Sequence, residues 1–283
     1  MNRTEAEVVR LWRHDCESRG LSPGTICEYE RYLREYRRDA RTLLESNTFD
    51  LSSFMLERSQ RWAPGTRMVV RRAFRSFFAF ATEAGLLDEN PAAALKPIKQ
   101  PMPSVRTPGQ PERLALVAAC SCVRDVAIID ALFGTGMRRS EIAALKVGDI
   151  DVPAATIHIP KSKSGKPRTA VMDERARRAM AAWLEERDRR RPAHDACWTT
   201  DEGEQLRPSG LRMVIRRTSV RAGVEFSSHD ARRAFAVAWL AQGGSETGLM
   251  AVCGWSSPSM IARYVRERQT TLAIEEARRL FAA

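Results

Sequence analysis

A run of prolines between residues 91 and 111 limits the fold of this chain more than any other feature of the sequence. The prolines are Pro91, Pro97, Pro101, Pro103, Pro108 and Pro111. Proline has no backbone N–H and disfavours helical geometry in the residue before it, so neither a long helix nor a central strand can cross this segment. We therefore predict two domains, residues 1–95 and 111–283, joined by a linker over residues 96–110.

Helical patterns dominate both predicted domains. Before the linker, residues 4–47 have the pattern of two helices that break at "RGLSPG", and residues 63–85 have the pattern of a third. After the linker, the predicted helices cover residues 174–191, 208–222, 229–242, 246–252 and 258–265, with a tail from about residue 270.

One segment of the second domain departs from the helical pattern. Residues 151–173 contain the alternating pair Ile157 and Ile159, then a Ser-Gly turn, then "RTAVM". This pattern predicts two short antiparallel strands. The predicted fold class is therefore mainly α, with an N-terminal helical domain and a larger mixed domain that holds one small antiparallel β-sheet.

The charge of the chain indicates a polyanionic partner. Its 46 lysines and arginines outnumber its 35 acidic residues, which gives a net charge of +11. A protein this basic is expected to bind nucleic acid. The chain starts with charged residues and has no apolar run long enough to span a membrane. We therefore expect a soluble protein of the cytoplasm, at the bacterial nucleoid. The scattered cysteines and the four histidines show no spacing typical of a metal site.

Two arginine-rich stretches, residues 58–82 and 205–224, contain no acidic residue. Each stretch alone is as compatible with a solvated helix face as with a binding surface. Their presence in both predicted domains favours a clamp on double-stranded DNA, in which arginines contact phosphates without reading the sequence. The candidate DNA-binding residues are Arg67, Arg71, Arg75, Arg212, Arg216 and Arg217.

Two short stretches place basic side chains for work on a phosphate. In "GTGMRRSEIAALKVGDID", Arg138 falls in the first turn of a predicted helix, with Glu141 one turn on to hold a group near it. "KSKSGK" contains three of only six lysines. Lysine, unlike arginine, can release a proton once a site lowers its pKa, which makes Lys163 a candidate proton donor. Without a catalytic role, Arg138 would be a surface arginine and "KSKSGK" a flexible basic loop. For Lys161 and Lys166 we favour the flexible loop.

Two more stretches offer a proton carrier and a nucleophile. "HDARRAF" places His229 and Arg232 three residues apart on one helix face, where histidine can move a proton and arginine can hold two phosphate oxygens. "CGWSSPSMIARYVRER" holds Trp255 and, nine residues later, Tyr264, which is the last of four tyrosines. Taken singly, a His–Arg pair and a tryptophan are more often structural.

The order Arg, Lys, His-x-x-Arg, Trp, Tyr resembles that of the tyrosine recombinase (phage integrase) family. "TGMRRSEIAALKVGDID" is similar to the first arginine box of that family, "SKSGKPRTAVM" to its lysine-bearing β-hairpin and "HDARRAFAVAWLAQGG" to its His-x-x-Arg box. "CGWSSPSMIARYV" is similar to the tyrosine segment, although Cys253 and Trp255 stand where the family most often has Leu and His. "LSPGTICEYERYLREY" is similar to the core-binding domain, whose helical fold is SAM-like.

This resemblance implies a site-specific DNA recombinase that cleaves and rejoins strands through a covalent 3′-phosphotyrosine. The implied roles are Tyr264 as nucleophile, His229 as its proton acceptor, Lys163 as the acid for the leaving 5′-oxygen, Arg138 and Arg232 as phosphate ligands, and Trp255 as a further hydrogen-bond donor. It implies no ATP, no metal ion and no other cofactor.

The implied partners are double-stranded DNA and further copies of the same chain, as a homo-tetramer on two DNA sites with a dimer on each. Two-domain, Xer-like or transposon-borne members, which have no arm-binding domain, are the most similar in architecture. Accessory proteins, the DNA target and the use of Tyr264 in its own subunit or a neighbour's stay open.

Two other functions are weighed against recombination. Type IB topoisomerases share the chemistry, but the separate N-terminal helical domain and the full motif spacing favour a recombinase. A non-catalytic helical DNA-binding protein would have no need of Tyr264 or Lys163.

Overall fold

The computed structural model describes residues 4–39, 42–99, 107–160 and 167–258, together with residues 261, 273–274, 277–278 and 281. The chain divides into two compact units, Met1–Pro103 and Ser104–Ala283, and the division falls inside the segment predicted as a linker. The mainly α fold class with one small antiparallel sheet is confirmed. No helix in these described ranges is long and apolar enough to cross a membrane.

The first unit is a bundle of helices around an aromatic core. Ser22 accepts a hydrogen bond from the Thr25 N–H and Pro23 follows it, which starts the second helix where the sequence predicts. Tyr36, Phe54 and Phe74 pack edge to face in the core. The helices are α1 (Glu5–Ser18), α2 (Pro23–Arg38), α3 (Thr48–Glu57) and α4 (Pro64–Glu83). Of these, α3 was not predicted from the sequence.

The helices of the second unit pack around one buried helix. They are α5 (Gln110–Ala118), α6 (Val123–Thr135), α7 (Arg139–Ala143), α8 (Glu174–Arg190), α9 (Pro208–Ala222), α10 (Ser228–Ala241) and α11 (Glu246–Cys253). Nearly all of α6 is buried, and α8 packs closely against it. Gly134 permits this approach, because a Cβ there would lie 2.7 Å from the Cβ of Ala176.

A three-stranded antiparallel sheet completes the second unit. Its strands are β1 (Ile150–Asp151), β2 (Thr156–Ile159) and β3 (Arg168–Val171), in the order β1-β2-β3. The two predicted strands are present as β2 and β3, with Ile157 opposite Ala170 and Ile159 opposite Arg168. Within the part of the chain that the structure describes, the additional strand β1 pairs with β2 alone. Residues 161–166, which include Lys163, lie outside the described residues.

The long helices of the second unit begin and end close to their predicted limits. Local sequence accounts for this, because Pro208 stands at the first position of α9 and Gly223 ends that helix in left-handed geometry. Ser245 caps α11, and Gly254 ends it with a φ of 63°. The predicted helix at 258–265 falls mostly on residues outside the described ranges, Tyr264 among them.

Candidate active site

The C-terminal end of α11 receives three arginine side chains from three other elements. The last carbonyls of a helix have no partner within it and carry partial negative charge, so they attract cations. Here three consecutive carbonyls each accept a hydrogen bond from a different guanidinium. The pairs are Arg168 Nε with Val252 O at 2.9 Å, Arg138 Nη2 with Gly254 O at 3.1 Å, and Arg232 Nη2 with Cys253 O.

Arg138 stands at the start of α7, and its neighbour Glu141 fixes it there. The prediction that Arg138 lies in the first turn is off by one position: its extended backbone makes it the residue that precedes the helix. Its backbone N–H donates to Glu141 Oε2 at 2.7 Å, and its Nη1 donates to Oε1 at 2.9 Å. The side chain stays 24% exposed. Part of this side chain is therefore accessible to solvent.

Glu141 is a buried carboxylate held by two guanidinium groups. Besides Arg138, it accepts two hydrogen bonds from Arg168, whose Nη1 and Nη2 each lie 2.8 Å from one carboxylate oxygen. Burial by itself raises the pKa of Glu141, but the hydrogen bonds and charges of Arg168 and Arg138 outweigh it and lower the pKa to about 2. Glu141 is thus ionised at neutral pH and serves as a fixed anchor for the arginines.

Arg232 is the most buried arginine of the site. It projects from α10, is 2% exposed, and donates to the carbonyls of Gly136 and Cys253. Gly136 has a φ of 61°, and a Cβ there would lie 2.5 Å from the ring of Phe235. Glycine is therefore required at this turn, both for its backbone geometry and for the packing of Phe235. The Arg232 guanidinium also lies 5.2 Å from the centre of the Trp255 ring.

His229 and Trp255 both lie near Arg232. His229 is in the first turn of α10, with its side chain exposed. Desolvation by neighbouring atoms lowers the pKa of His229, and the positive charge of Arg232 lowers it further. Trp255 directly follows the arginine-bound end of α11 and is 6% exposed, within a small apolar cluster that includes Leu249 and Ile261.

Three of the six predicted catalytic residues therefore meet at one end of α11, and a fourth is one helical turn from Arg232. Arg138, Arg232 and Trp255 meet at that end, and His229 is one turn before Arg232 on α10. Lys163 and Tyr264 lie outside the described residues. Two guanidinium groups that donate to adjacent carbonyls of one helix end, such as Arg138 and Arg232, are candidates to hold two oxygens of one phosphate.

Arg168 is a site residue that the sequence reasoning missed. One signal was present, because side chains alternate along a strand and Arg168 shares its face with the fully buried Ala170. An arginine on a buried strand face needs a carboxylate partner. The sequence distance of 27 residues to Glu141 hid that partner.

The predicted DNA-binding arginines divide into two groups. In the first unit, Arg71 Nε donates to Leu95 O at 2.8 Å and Arg75 Nη1 donates to Ala93 O at 3.3 Å, so both use part of their donors internally. Arg67, on the same helix, is half-buried. On α9, by contrast, the three candidates are exposed and form no ion pair within the described ranges. These are Arg212, Arg216 and Arg217.

Comparison with known proteins decides the family. The model of the phage integrase family matches residues 110–271, more than half of the chain. The chain belongs to the phage integrase family. The resemblance to the tyrosine recombinases and the expectation of a DNA strand-exchange enzyme are thereby confirmed, and neither alternative function is favoured.

Relatives of this phage integrase family member match it along most of its length. Tyrosine recombinase XerC of Roseiflexus sp. (strain RS-1) is 29% identical over 279 residues, which cover 91% of this chain and 88% of the relative. The Tn1549 transposon integrase in complex with a circular intermediate DNA has a TM-score of 0.78 at 17% identity and covers 96% of this chain and 99% of its own. A lambda integrase tetramer bound to a Holliday junction has a TM-score of 0.73 at 16% identity, with coverage of 90% and 78%. The structural matches show a shared fold.

Proposed function

We propose that this phage integrase family member exchanges DNA strands through a covalent 3′-phosphotyrosine, with Tyr264 as the nucleophile. The observation that carries the proposal is the meeting of Arg138 and Arg232 at the end of α11, directly before Trp255 and close in sequence to Tyr264. Guanidinium groups from two separate elements, held by the same helix end, suit the two non-bridging oxygens of a phosphodiester.

The chemical step is an attack on the scissile phosphate. The Tyr264 oxygen forms a bond to phosphorus, and the bond from phosphorus to the 5′-oxygen breaks. Arg138 and Arg232 offset the negative charge that develops on the non-bridging oxygens, and Trp255 donates a further hydrogen bond. Because the phosphotyrosine ester keeps the energy of the broken bond, a second 5′-hydroxyl can displace Tyr264 without ATP.

Two residues handle the protons of this step. A phenol has a pKa near ~10 and needs a base, which His229 supplies. The lowered pKa of His229 keeps its imidazole neutral at neutral pH, so it can accept the Tyr264 proton. Lys163 donates a proton to the departing 5′-oxygen. In this scheme the arginines supply the positive charge that a metal ion would otherwise bring, and no cofactor takes part.

The arginines of α9 are proposed to contact DNA phosphates. Arg212, Arg216 and Arg217 are exposed, with no carboxylate to offset them in the described part of the chain. Arg67, Arg71 and Arg75 are proposed as weaker contributors, because two of them already bond to backbone carbonyls. The lambda integrase tetramer on a Holliday junction supports a tetramer on two double-stranded DNA sites, with a dimer on each.

The test of the nucleophile is covalent capture of DNA. The chain is incubated with a pool of random-sequence duplexes that carry a nick, so that cleavage releases a short fragment and traps the adduct. We expect an adduct stable in detergent with the wild type and none with Tyr264→Phe, although both bind DNA equally. Tyr29→Phe, a half-buried tyrosine of the first unit, is the control and should behave as wild type. An adduct formed by Tyr264→Phe would exclude this mechanism.

The test of the acid uses the captured duplex with its 5′-bridging oxygen replaced by sulfur. Lys163→Arg keeps the charge but cannot release a proton, so it should cleave the oxygen substrate poorly. A thiolate leaves without an acid, so the sulfur substrate should restore the rate of Lys163→Arg. A variant equally slow on both substrates would show that Lys163 is not the acid.

A further inference from the structure

Arg168 links three parts of the candidate site. Its guanidinium is almost fully buried, with 8% of the side chain exposed. Nη1 and Nη2 donate to the two oxygens of Glu141, each at 2.8 Å, and Nε donates to Val252 O at 2.9 Å. A two-point contact fixes the relative rotation of a guanidinium and a carboxylate. The third contact fixes both groups relative to the end of α11.

Each oxygen of the Glu141 carboxylate accepts one hydrogen bond from Arg168 and one from Arg138. Oε1 accepts from the Nη1 of Arg168 at 2.8 Å and from the Nη1 of Arg138 at 2.9 Å. Oε2 accepts from Arg168 Nη2 and from the backbone N–H of Arg138. Without Arg168, Glu141 would pair with Arg138 alone, offset its charge and rotate more freely. Arg168 therefore keeps the local charge positive and orients the carboxylate that holds Arg138.

Arg168 is also fixed at both of its own ends. Arg168 is the first residue of β3, and its backbone lies opposite Ile159 of β2. The tip of its side chain is held by Glu141 and by α11, and its stem passes beside Gly254, where a Cβ would lie 3.0 Å from Arg168 Cδ. A side chain held in this way has few accessible conformations, so it fixes the position of Glu141 relative to the sheet.

We propose that Arg168 is a positioning residue for strand cleavage, acting through Glu141 to hold the Arg138 guanidinium in the orientation that binds the scissile phosphate. The proposal rests on the proposed phosphotyrosine chemistry. Arg168 is given no phosphate contact in this scheme, because both of its Nη atoms donate to the carboxylate of Glu141 and its Nε donates to Val252 O. A displacement of about 1 Å at a reacting group costs on the order of 10²-fold in rate, so its loss should appear in the cleavage step.

The first experiment compares Arg168 variants with a matched control in the whole chain. Arg177 also makes a two-point contact with a carboxylate, through its Nε and Nη2 to Glu174, but on the surface of α8. The rate of adduct formation is measured in a single turnover on the duplex captured by the wild type. We expect Arg168→Ala and Arg168→Lys to be slower by about 10²-fold at unchanged DNA affinity, and Arg177→Ala to match the wild type. Arg168→Lys keeps the charge without the planar fork, and should fold if Arg168→Ala does not. Wild-type rates in the folded Arg168 variants would overturn the proposal.

Two further measurements separate positioning from a general loss of structure. Arg168→Ala should add no loss to that of Glu141→Gln, because residues that act as one unit are not additive. The sulfur-containing duplex should restore Lys163→Arg and leave Arg168→Ala slow. Additive losses, or full recovery of Arg168→Ala on the sulfur duplex, would contradict action through Glu141 and Arg138. Absence of any adduct with the wild-type chain would instead contradict the proposed function.

Discussion

Glu141→Gln is expected to destabilise the second unit by about 3 kcal/mol at neutral pH. The carboxylate is buried, and hydrogen bonds from Arg168 and Arg138 hold its pKa at about 2, against an ordinary value of 4.5. Each pKa unit corresponds to about 1.4 kcal/mol, so folding stabilises the ionised form of Glu141 by about 3 kcal/mol. Glutamine cannot supply this interaction, and it leaves the buried guanidinium of Arg168 without a counter-charge.

The size of this effect depends on pH in one direction. Because folding lowers the pKa of Glu141, its contribution is complete above a pH of about 4.5 and is lost as the pH falls toward about 2. Glutamine has no charge at any of these pH values. The difference in unfolding free energy between the wild type and Glu141→Gln should therefore be largest at pH 7 and should shrink as the solution is acidified.

The assay is unfolding in urea at pH 7 and pH 3, followed by hydrogen exchange on peptides from α6, the buried helix of the second unit. Glu174→Gln is the control, because Glu174 also accepts two-point contacts from an arginine but does so on the surface, where water screens the pair. A loss in Glu141→Gln no larger than that of the control, or a loss that is the same at both pH values, would refute the reasoning.

Three other perturbations test separate parts of the site. His229→Asn should abolish the fall in cleavage rate on acidification, which is expected below pH 6.5 because the pKa of His229 is lowered from that value. If the rate of the variant still falls there, another group is the base. Gly254→Ala should destabilise the chain by about 1–2 kcal/mol in urea unfolding, since a φ of 63° strains alanine and its Cβ meets Arg168 at 3.0 Å. The double variant Arg216→Ala, Arg217→Ala should reduce the slope of log affinity against log salt by about 2 in DNA-binding titrations. An unchanged slope would remove both arginines from the DNA surface.

Local chemistry explains which elements could be predicted from the sequence. Capping by Ser22 and proline at the first helical position mark the starts of α2 and α9, and both signals act within a few residues. The alternation of Ile157 and Ile159 likewise marks β2. By contrast, β1 has only two residues and exists through its pairing with β2, so no local pattern indicates it.

In the candidate site, too, contacts between residues close in sequence could be predicted, and contacts between residues distant in sequence could not. Arg138 and Glu141 are three residues apart, so their interaction could be predicted from helical spacing. Arg168 and Val252 are 84 residues apart, and only the folded chain brings them together. Charge patterns also do not reveal which arginines are used internally: Arg58, in the first acid-free stretch, pairs with Asp39 and stacks on the ring of Phe54.

The end of α11 links the two arginines that are proposed to bind the phosphate. This helix has eight residues, too few for a stable helix on its own in water, so the arginines that bind its carbonyls also keep it folded. Opening of this one element would remove a hydrogen bond from Arg138 and another from Arg232, while Glu141 would still hold the first and the Gly136 carbonyl the second. A displacement of this helix end therefore acts on both arginines at once, since each of them donates to one of its carbonyls.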